Sequence, residues 1–316
     1  MALKLVSYCA TRLGLSTQAV RRIANSAHHR YKHFKIAKRR DGEFRDVAQP
    51  AREVKALQRC IVELLTPFLP IHECATAYKP GASILSNAKE HLASKFLLKL
   101  DFVKFFDSLT SSDIQSLISA VPEISPSPAE LMLLSNAVCW SGLGRDLRTL
   151  CIGAPSSPFF SNCLMYAFDA KMVTAAKING TVYTRYSDDI TISGMDRASV
   201  LRMEAVATAT LNSLAYPRLE FRSDKRVLVS ASHHLGVTGL TLATQGHVTV
   251  GRWRKRGIRA GLHKYKLGKL STEEIQSLRG EIAFAQSIES DFMNLLFEWD
   301  RGLIKRLLLE KRSSQS

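Results

Sequence analysis

Apolar positions along the chain repeat with a helical period in some stretches and as short strand-length runs in others. From Ser16 to His29, Ala19, Val20, Ile23 and Ala24 fall on one helical face behind a serine suited to capping, which predicts a helix. Phe34 to Val47 reads as a hairpin turning at Arg40-Asp41-Gly42, and the Pro50-Ala51-Arg52 break is followed by a helix to about Leu65. Phe96-Leu97-Leu98-Lys99-Leu100 is an apolar run of the kind that makes a buried strand, and it closes on Asp101. A helical stretch from Ser111 into Val121, a Pro- and Ser-rich loop over 122–128 and a helix from Phe159 to Lys171 come next. Thr181-Val182-Tyr183-Thr184 and Ile190-Thr191-Ile192 then read as two strands joined by a tight turn with Asp188-Asp189 at its tip. From about Arg254 to Leu309 the pattern is mainly helical. With 316 residues, 46% of them hydrophobic, the chain can build a substantial core and several subdomains.

Charge narrows the class of partner. Lys and Arg number 44 against 28 Asp and Glu, for a net charge of +16, which favours a phosphate backbone as partner. The cations cluster in two stretches, Arg21 to Arg40 and Arg252 to Lys266, both interleaved with aromatic residues that suit stacking on unpaired bases. A solvated helical face is the other account of each. No run of about 18 apolar residues occurs and the first residues lack a signal-peptide layout, so the expectation is a cytoplasmic protein with no membrane partner. The six cysteines form no C-x-x-C pair and have no histidine at zinc-finger spacing, which predicts reduced, mostly buried thiols. The tail 313–316 is the candidate for disorder.

The chemistry starts from three carboxylates. Asp188 and Asp189 sit side by side in a turn and repel unless a cation neutralises them, although such pairs also occur in solvated turns. Asp101 strengthens the case for a metal, because a lone acid closing an apolar strand needs a partner. Two strands bringing acid to one end of a sheet suit a two-metal phosphoryl-transfer centre, and Mg²⁺ accepts a few carboxylates while keeping positions for phosphate oxygens and water. Asp101, Asp188 and Asp189 are the candidate catalytic residues and metal ligands.

With these residues in place the chain resembles the reverse transcriptases. Asp101-Phe102-Val103-Lys104-Phe105-Phe106 looks like the first catalytic motif and Tyr186-Ser187-Asp188-Asp189 like the second. It is most similar to the retron branch, through Asn87-Ala88-Lys89-Glu90-His91 upstream of the first motif and Val237-Thr238-Gly239 downstream of the second. The match runs from roughly Leu13 to Trp299. The resemblance implies an α+β right-hand polymerase: an N-terminal helical extension over 1–30, fingers over 31–95 with 110–160 contributing, a palm over 96–245 whose antiparallel sheet carries packed helices, and a helical thumb over 246–316.

It also implies site roles. Arg45, Arg52 and Lys38 would hold the nucleotide triphosphate, as arginine can do bidentately. Phe106 would lie under the nucleotide sugar and exclude a 2′-hydroxyl; Asp107, one residue later, would turn to the other face if the segment is extended. Gly153-Ala154-Pro155-Ser156-Ser157-Pro158 resembles the template- and nucleotide-positioning loop, its small residues permitting close backbone approach. The frequent Gln and Pro before that glycine are here Ile152 and Cys151. Lys225 would stand near the leaving pyrophosphate. Asn87, His91, Val237, Thr238, Gly239, Arg252, Arg254 and Lys255 are the candidate RNA contacts, with Asn87 and His91 on one helical face.

The implied activity is RNA-directed DNA synthesis with two Mg²⁺ ions per active site and dNTP substrates. Part of a cognate structured non-coding RNA would be copied into multicopy single-stranded DNA (msDNA), primed from the 2′-hydroxyl of a guanosine in that RNA, in bacterial antiphage defence beside an effector protein. The chain is too short for an added ribonuclease H domain, so a host ribonuclease H would remove the template. Two alternatives stay open: another bacterial reverse transcriptase, such as a group II intron type, with a different priming mode, or a non-catalytic RNA-binding protein on a polymerase fold.

Overall fold

Where the sequence pattern predicts one N-terminal helix, the chain forms two, α1 (Leu5–Leu13) and α2 (Thr17–Ser26). Gly14 ends α1 with φ 65, a left-handed conformation that glycine adopts without penalty. The Ser16 side chain accepts a hydrogen bond from the Ala19 amide at 3.1 Å and caps α2 as expected. The computed structural model describes residues 3–37, 43–142, 147–232, 235–243 and 245–309. The expected turn at Arg40-Asp41-Gly42, with Lys38, and the tail 313–316 lie outside the described residues.

Strands β1 (Tyr31–Ala37) and β2 (Phe44–Pro50) pair antiparallel from Tyr31↔Pro50 to Ala37↔Phe44, and α3 (Arg52–Leu65) follows, as the pattern predicts. After α4 (Ile84–Glu90) come β3 (Phe96–Asp101), the one-turn α5 (Phe105–Ser108) and α6 (Ser111–Ser119). The Pro- and Ser-rich loop ends in a helix the pattern misses, α7 (Pro128–Val138). Ser127 and Glu130 close a reciprocal capping box and Pro128 occupies the first turn, where its missing N–H is harmless. The short pair β4 (Trp140–Ser141) and β5 (Arg148–Thr149) precedes α8 (Ser157–Leu164) and α9 (Tyr166–Ile178). The single helix expected from Phe159 to Lys171 is thus two, divided at Met165, whose ψ of −3° departs from the helical value.

The hairpin with the paired acids is β6 (Thr181–Tyr186) and β7 (Asp189–Gly194), and α10 (Arg197–Ser213) packs with α9 behind it. The remaining elements are β8 (Val227–Ser230), β9 (Leu235–Val237), β10 (Leu240–Leu242), β11 (Val248–Thr249), α11 (Arg252–Lys266), α12 (Thr272–Ile288) and α13 (Ser290–Leu309). The central sheet has the order β6-β7-β3-β8.

The chain divides into two units, one drawn from Met1–Ala82 and Leu97–Leu228, the other from Ser83–Phe96 and Val229–Ser316. In the first, Phe102 is buried in an aromatic cluster, its ring 5.3 Å from Phe105, 5.1 Å from Phe221 and 6.2 Å from Phe168. In the second, α4 packs on the sheet β9–β10–β11, and α11, α12 and α13 share a core that includes Ile258, Leu262, Leu278, Ile282, Phe292 and Leu303. All six cysteines are free and five are buried, as the spacing predicts. Burial pushes the Cys151 and Cys163 thiols up to about 12. Among the described residues no helix is long and apolar enough to cross a membrane.

The first unit also buries an ion pair that the pattern does not announce. Arg185 of β6 and Asp169 of α9 are both 0% exposed. Arg185 donates through Nε at 2.9 Å and Nη2 at 2.6 Å to the carboxylate, which also accepts from the Tyr183 hydroxyl at 2.8 Å. Removing one member leaves the other charged and dry. Asp169→Ala is therefore expected to lose about 3–5 kcal/mol of stability, measured by denaturant unfolding.

Candidate active site

The Asp188-Asp189 turn is built from below. Tyr186 pairs with Asp189, so Ser187 and Asp188 alone form the hairpin loop, and Ser187 takes φ 60. A non-glycine residue there is strained by about 1–3 kcal/mol and persists only where its surroundings hold it. Arg185 supplies that hold, since its Nη1 donates to the Ser187 carbonyl at 2.9 Å and to Asn162 Oδ1 at 3.1 Å. The strand beneath is fixed from its other side by Arg185 N–H donating to the Cys74 carbonyl and Thr76 N–H to the Arg185 carbonyl, at 2.9 and 2.8 Å. Arg185, Asp169 and Asn162 escaped the sequence reading. The available signal was a charged residue inside a strand of β-branched and aromatic residues, an argument close to the one that singled out Asp101.

Asp101 ends β3 at 6% exposure, and its Oδ2 accepts a hydrogen bond from Lys225 Nζ. Lys225 closes a 3-10 turn, Ser223–Lys225, stitched to β3 by Arg222 N–H donating to the Asp101 carbonyl at 2.8 Å. The sequence reading put this lysine beside leaving pyrophosphate; in the structure its amine is engaged by a candidate metal ligand. The three carboxylates act on one another. Loss of surrounding water, then the charges of Asp188 and Asp101, push Asp189 up to about 6, while Lys99 and Lys225 oppose the rise. Asp188 is raised by burial foremost and by Asp101, against the opposing charges of Lys225 and Arg45.

Among the described residues no three His, Cys, Asp or Glu side chains stand gathered into a ready metal site. The donors nevertheless fit a hard divalent cation. All are carboxylate oxygens, two of the three are raised by burial first and by neighbouring carboxylate charge second, and one of them already binds a cationic side chain.

The candidate nucleotide contacts divide. Arg45 is exposed on β2, within electrostatic reach of Asp188. Arg52 is exposed at the first turn of α3, and no ion pair joins it to the carboxylates among the described residues. Phe106 is half-buried, edge-on to Phe105 at 5.3 Å. Its segment is a helical turn entered through Lys104 at φ 43, which corrects the extended reading. Phe106 and Asp107 still diverge, because successive helical residues point about 100° apart. Gly153 has φ 113, and a Cβ there would lie 2.8 Å from the Ala48 carbonyl oxygen. Ala154 is 4% exposed in a cluster with Ala48, Trp140 and Cys151. The small residues of this loop thus admit strand β2, with Ala48 N–H donating to the Ile152 carbonyl at 2.8 Å.

The candidate RNA contacts divide more sharply. Asn87 and His91 are 1% and 0% exposed, so they are interior residues; the helix ends at Glu90 and His91 is its cap. Burial lowers the His91 imidazole to about 4, which keeps it neutral. Val237 is also 0% exposed. Thr238 and Gly239 form the two-residue loop between β9 and β10 with φ 47 and 80, a conformation that favours glycine, and Thr238 Oγ1 donates to the Ile84 carbonyl at 3.2 Å. The two stretches flanking the catalytic motifs are therefore packed together, α4 against this hairpin. Arg254 pairs with Glu281 at 3.0 Å and covers the Phe284 ring at 4.5 Å, and Lys255 pairs with Glu289. Both are committed within the helical bundle, whereas Arg252, Trp253 and Arg256 stay exposed.

Comparison with known proteins agrees with this geometry. Residues 36–242 match the family described as reverse transcriptase (RNA-dependent DNA polymerase). Retron Ec83 reverse transcriptase of Escherichia coli is 40% identical over 84% of this chain and 85% of its own length. Retron Ec86 reverse transcriptase of the same organism is 29% identical over 94% and 88%. A telomerase from Candida albicans, solved with a fragment of telomeric RNA, aligns at a TM-score of 0.48 with 12% identity, covering 91% of this chain and 56% of that one, a likeness too distant to carry detail. The paired acids on their braced hairpin, the acid closing β3 and these relatives lead to one conclusion: the chain belongs to the reverse transcriptase family, in its retron branch, and is an RNA-directed DNA polymerase.

Proposed function

We propose that this polymerase copies part of a cognate structured non-coding RNA into msDNA, starting from the 2′-hydroxyl of a guanosine in that RNA, by two-metal nucleotidyl transfer. The observation that carries the chemistry is the raising of Asp188 and Asp189, by burial foremost and then by neighbouring carboxylate charge, with Asp101 acting on both. Asp101, Asp188 and Asp189 would hold two Mg²⁺ ions, which supply activation of the attacking hydroxyl and charge neutralisation at the leaving pyrophosphate. Arg45, whose charge acts on Asp188, would meet the triphosphate of the incoming dNTP, with Arg52 further along the same surface segment. Phe106 would face the sugar, and the exposed backbone of Gly153 would border the template and nucleotide, with Ala154 supporting it from the interior.

The retron reading draws on the packing of α4 against the Val237-Thr238-Gly239 hairpin. Asn87, His91 and Val237 act there as buried supports, so contact with the cognate RNA would fall to Thr238, Gly239 and the exposed Arg252 and Trp253. We assign fingers, palm and thumb to 31–95, 96–245 and 246–316, with 110–160 shared between fingers and palm and 1–30 as an extension. The setting proposed is the bacterial cytoplasm, with a role in antiphage defence, an effector protein encoded alongside, and host ribonuclease H for template removal.

Asp188→Asn is expected to abolish branched msDNA in cells carrying the flanking genomic DNA, read as debranching-enzyme-sensitive single-stranded DNA. In primer extension the same change is expected to slow synthesis by at least about a hundredfold, since an ion's charge stabilisation is worth several kcal/mol and about 1.4 kcal/mol is tenfold. If branched DNA is missing from wild type while primer extension proceeds, the enzyme stands and the branched priming does not.

The raised Asp189 sets a pH dependence. A carboxylate whose folded pKa lies above its unfolded one contributes stability in acid, and that contribution is lost as pH rises through about 6. Mg²⁺ binds the deprotonated form. The rise in melting temperature on adding Mg²⁺ is therefore expected to be large at about pH 8 and small at about pH 5, and to shrink in Asp189→Asn.

A further inference from the structure

Asp101 is 6% exposed, and the cation paired with its carboxylate is Lys225. The main chain that carries Lys225 is pinned. Arg222 N–H donates to the Asp101 carbonyl at 2.8 Å, Val103 N–H donates to the Glu220 carbonyl at 2.9 Å, and Phe221 stacks on Phe102 at 5.1 Å. The side chain is free by comparison, being 36% exposed at the end of a flexible stem. The amine can leave Asp101 by rotation about its own bonds while the backbone stays where it is.

A second lysine gives the contrast. Lys99 lies on β3 beside Asp189 and acts on it only through its charge, whereas Lys225 occupies an oxygen of Asp101 directly. A metal ion that takes Oδ2 of Asp101 as its ligand has to displace that amine.

We propose that Lys225 is a built-in placeholder cation: it occupies Asp101 while no divalent ion is bound, leaves the carboxylate when one binds, and is thereby released toward the phosphates of the incoming nucleotide. This rests on the metal-binding reading above and adds to it an order of events. Lys225 is in this account a positioning residue in the free enzyme and a phosphate contact only in the loaded one. Metal binding and phosphate capture are then coupled, and the coupling is reciprocal, so whatever draws the amine away tightens the metal.

The test uses the full-length wild-type protein with Mn²⁺ as probe. Mn²⁺ binding is followed by electron paramagnetic resonance, while acetylation of each lysine by a brief pulse of an N-hydroxysuccinimide ester is read by mass spectrometry. Acetylation of Lys225 is expected to rise severalfold on Mn²⁺ binding without nucleotide, with that of Lys99 changing little, and to fall again when inorganic pyrophosphate is added. In Asp101→Asn, Lys225 is expected to be fast-reacting with or without Mn²⁺. Lys225→Met is expected to bind Mn²⁺ severalfold more tightly than wild type, and more tightly than Lys99→Met. Mn²⁺ that binds wild type while Lys225 acetylation stays constant overturns the placeholder and leaves the metal site intact. Failure of wild type to bind Mn²⁺ at all overturns the metal reading and this inference with it.

Discussion

The buried pair of Arg185 and Asp169 is the constraint on which the site depends. It joins β6 to α9, and the same guanidinium reaches up to the Ser187 carbonyl and sideways to Asn162 of α8. Three helical and strand elements thus meet at one charge, directly under the turn that presents Asp188 and Asp189. A two-residue loop with a serine at φ 60 would relax if it stood alone. It holds because the guanidinium has five donors in a rigid fork, and satisfying them fixes the direction of everything they touch.

Charge is handled differently among the three carboxylates. The lower pair is dry and permanently matched, whereas Asp188 and Asp189 are raised by burial first and then by neighbouring carboxylate charge, which Lys225, Lys99 and Arg45 oppose. Burying carboxylates in this way opposes folding when they are charged and favours cation binding. The rigid pair below makes it tolerable, because the strands cannot spread to relieve the repulsion. The protein combines a fixed floor with a rim of carboxylates whose raised members favour a cation nearby.

Small and buried residues in motifs turn out to serve the scaffold. Gly153 and Ala154 allow β2 to approach their loop, and Asn87, His91 and Val237 are interior. Arg254 and Lys255 face their own bundle through Glu281, Phe284 and Glu289, while Trp253 between Arg252 and Arg254 is 87% exposed. On a helix, residues one apart point in different directions, so a run of cations cannot all meet one partner. A motif read as a string therefore overstates the number of residues that touch substrate.

The sequence by itself determined the strand that ends on Asp101, the hairpin that carries Asp188-Asp189, the helical C-terminal region and the family, because each rests on local periodicity or on residues adjacent in the chain. The tertiary structure alone decided what lies 16 to 154 positions away: Asp169 under Arg185, Lys225 on Asp101, and Thr238 against Ile84. It also separated Phe106 from the extended geometry expected of it, through a left-handed residue at Lys104 that no propensity marks. Local pattern reports which face of an element is apolar. Which buried charge finds which partner depends on how elements pack, and that information exists only once the chain has folded back on itself.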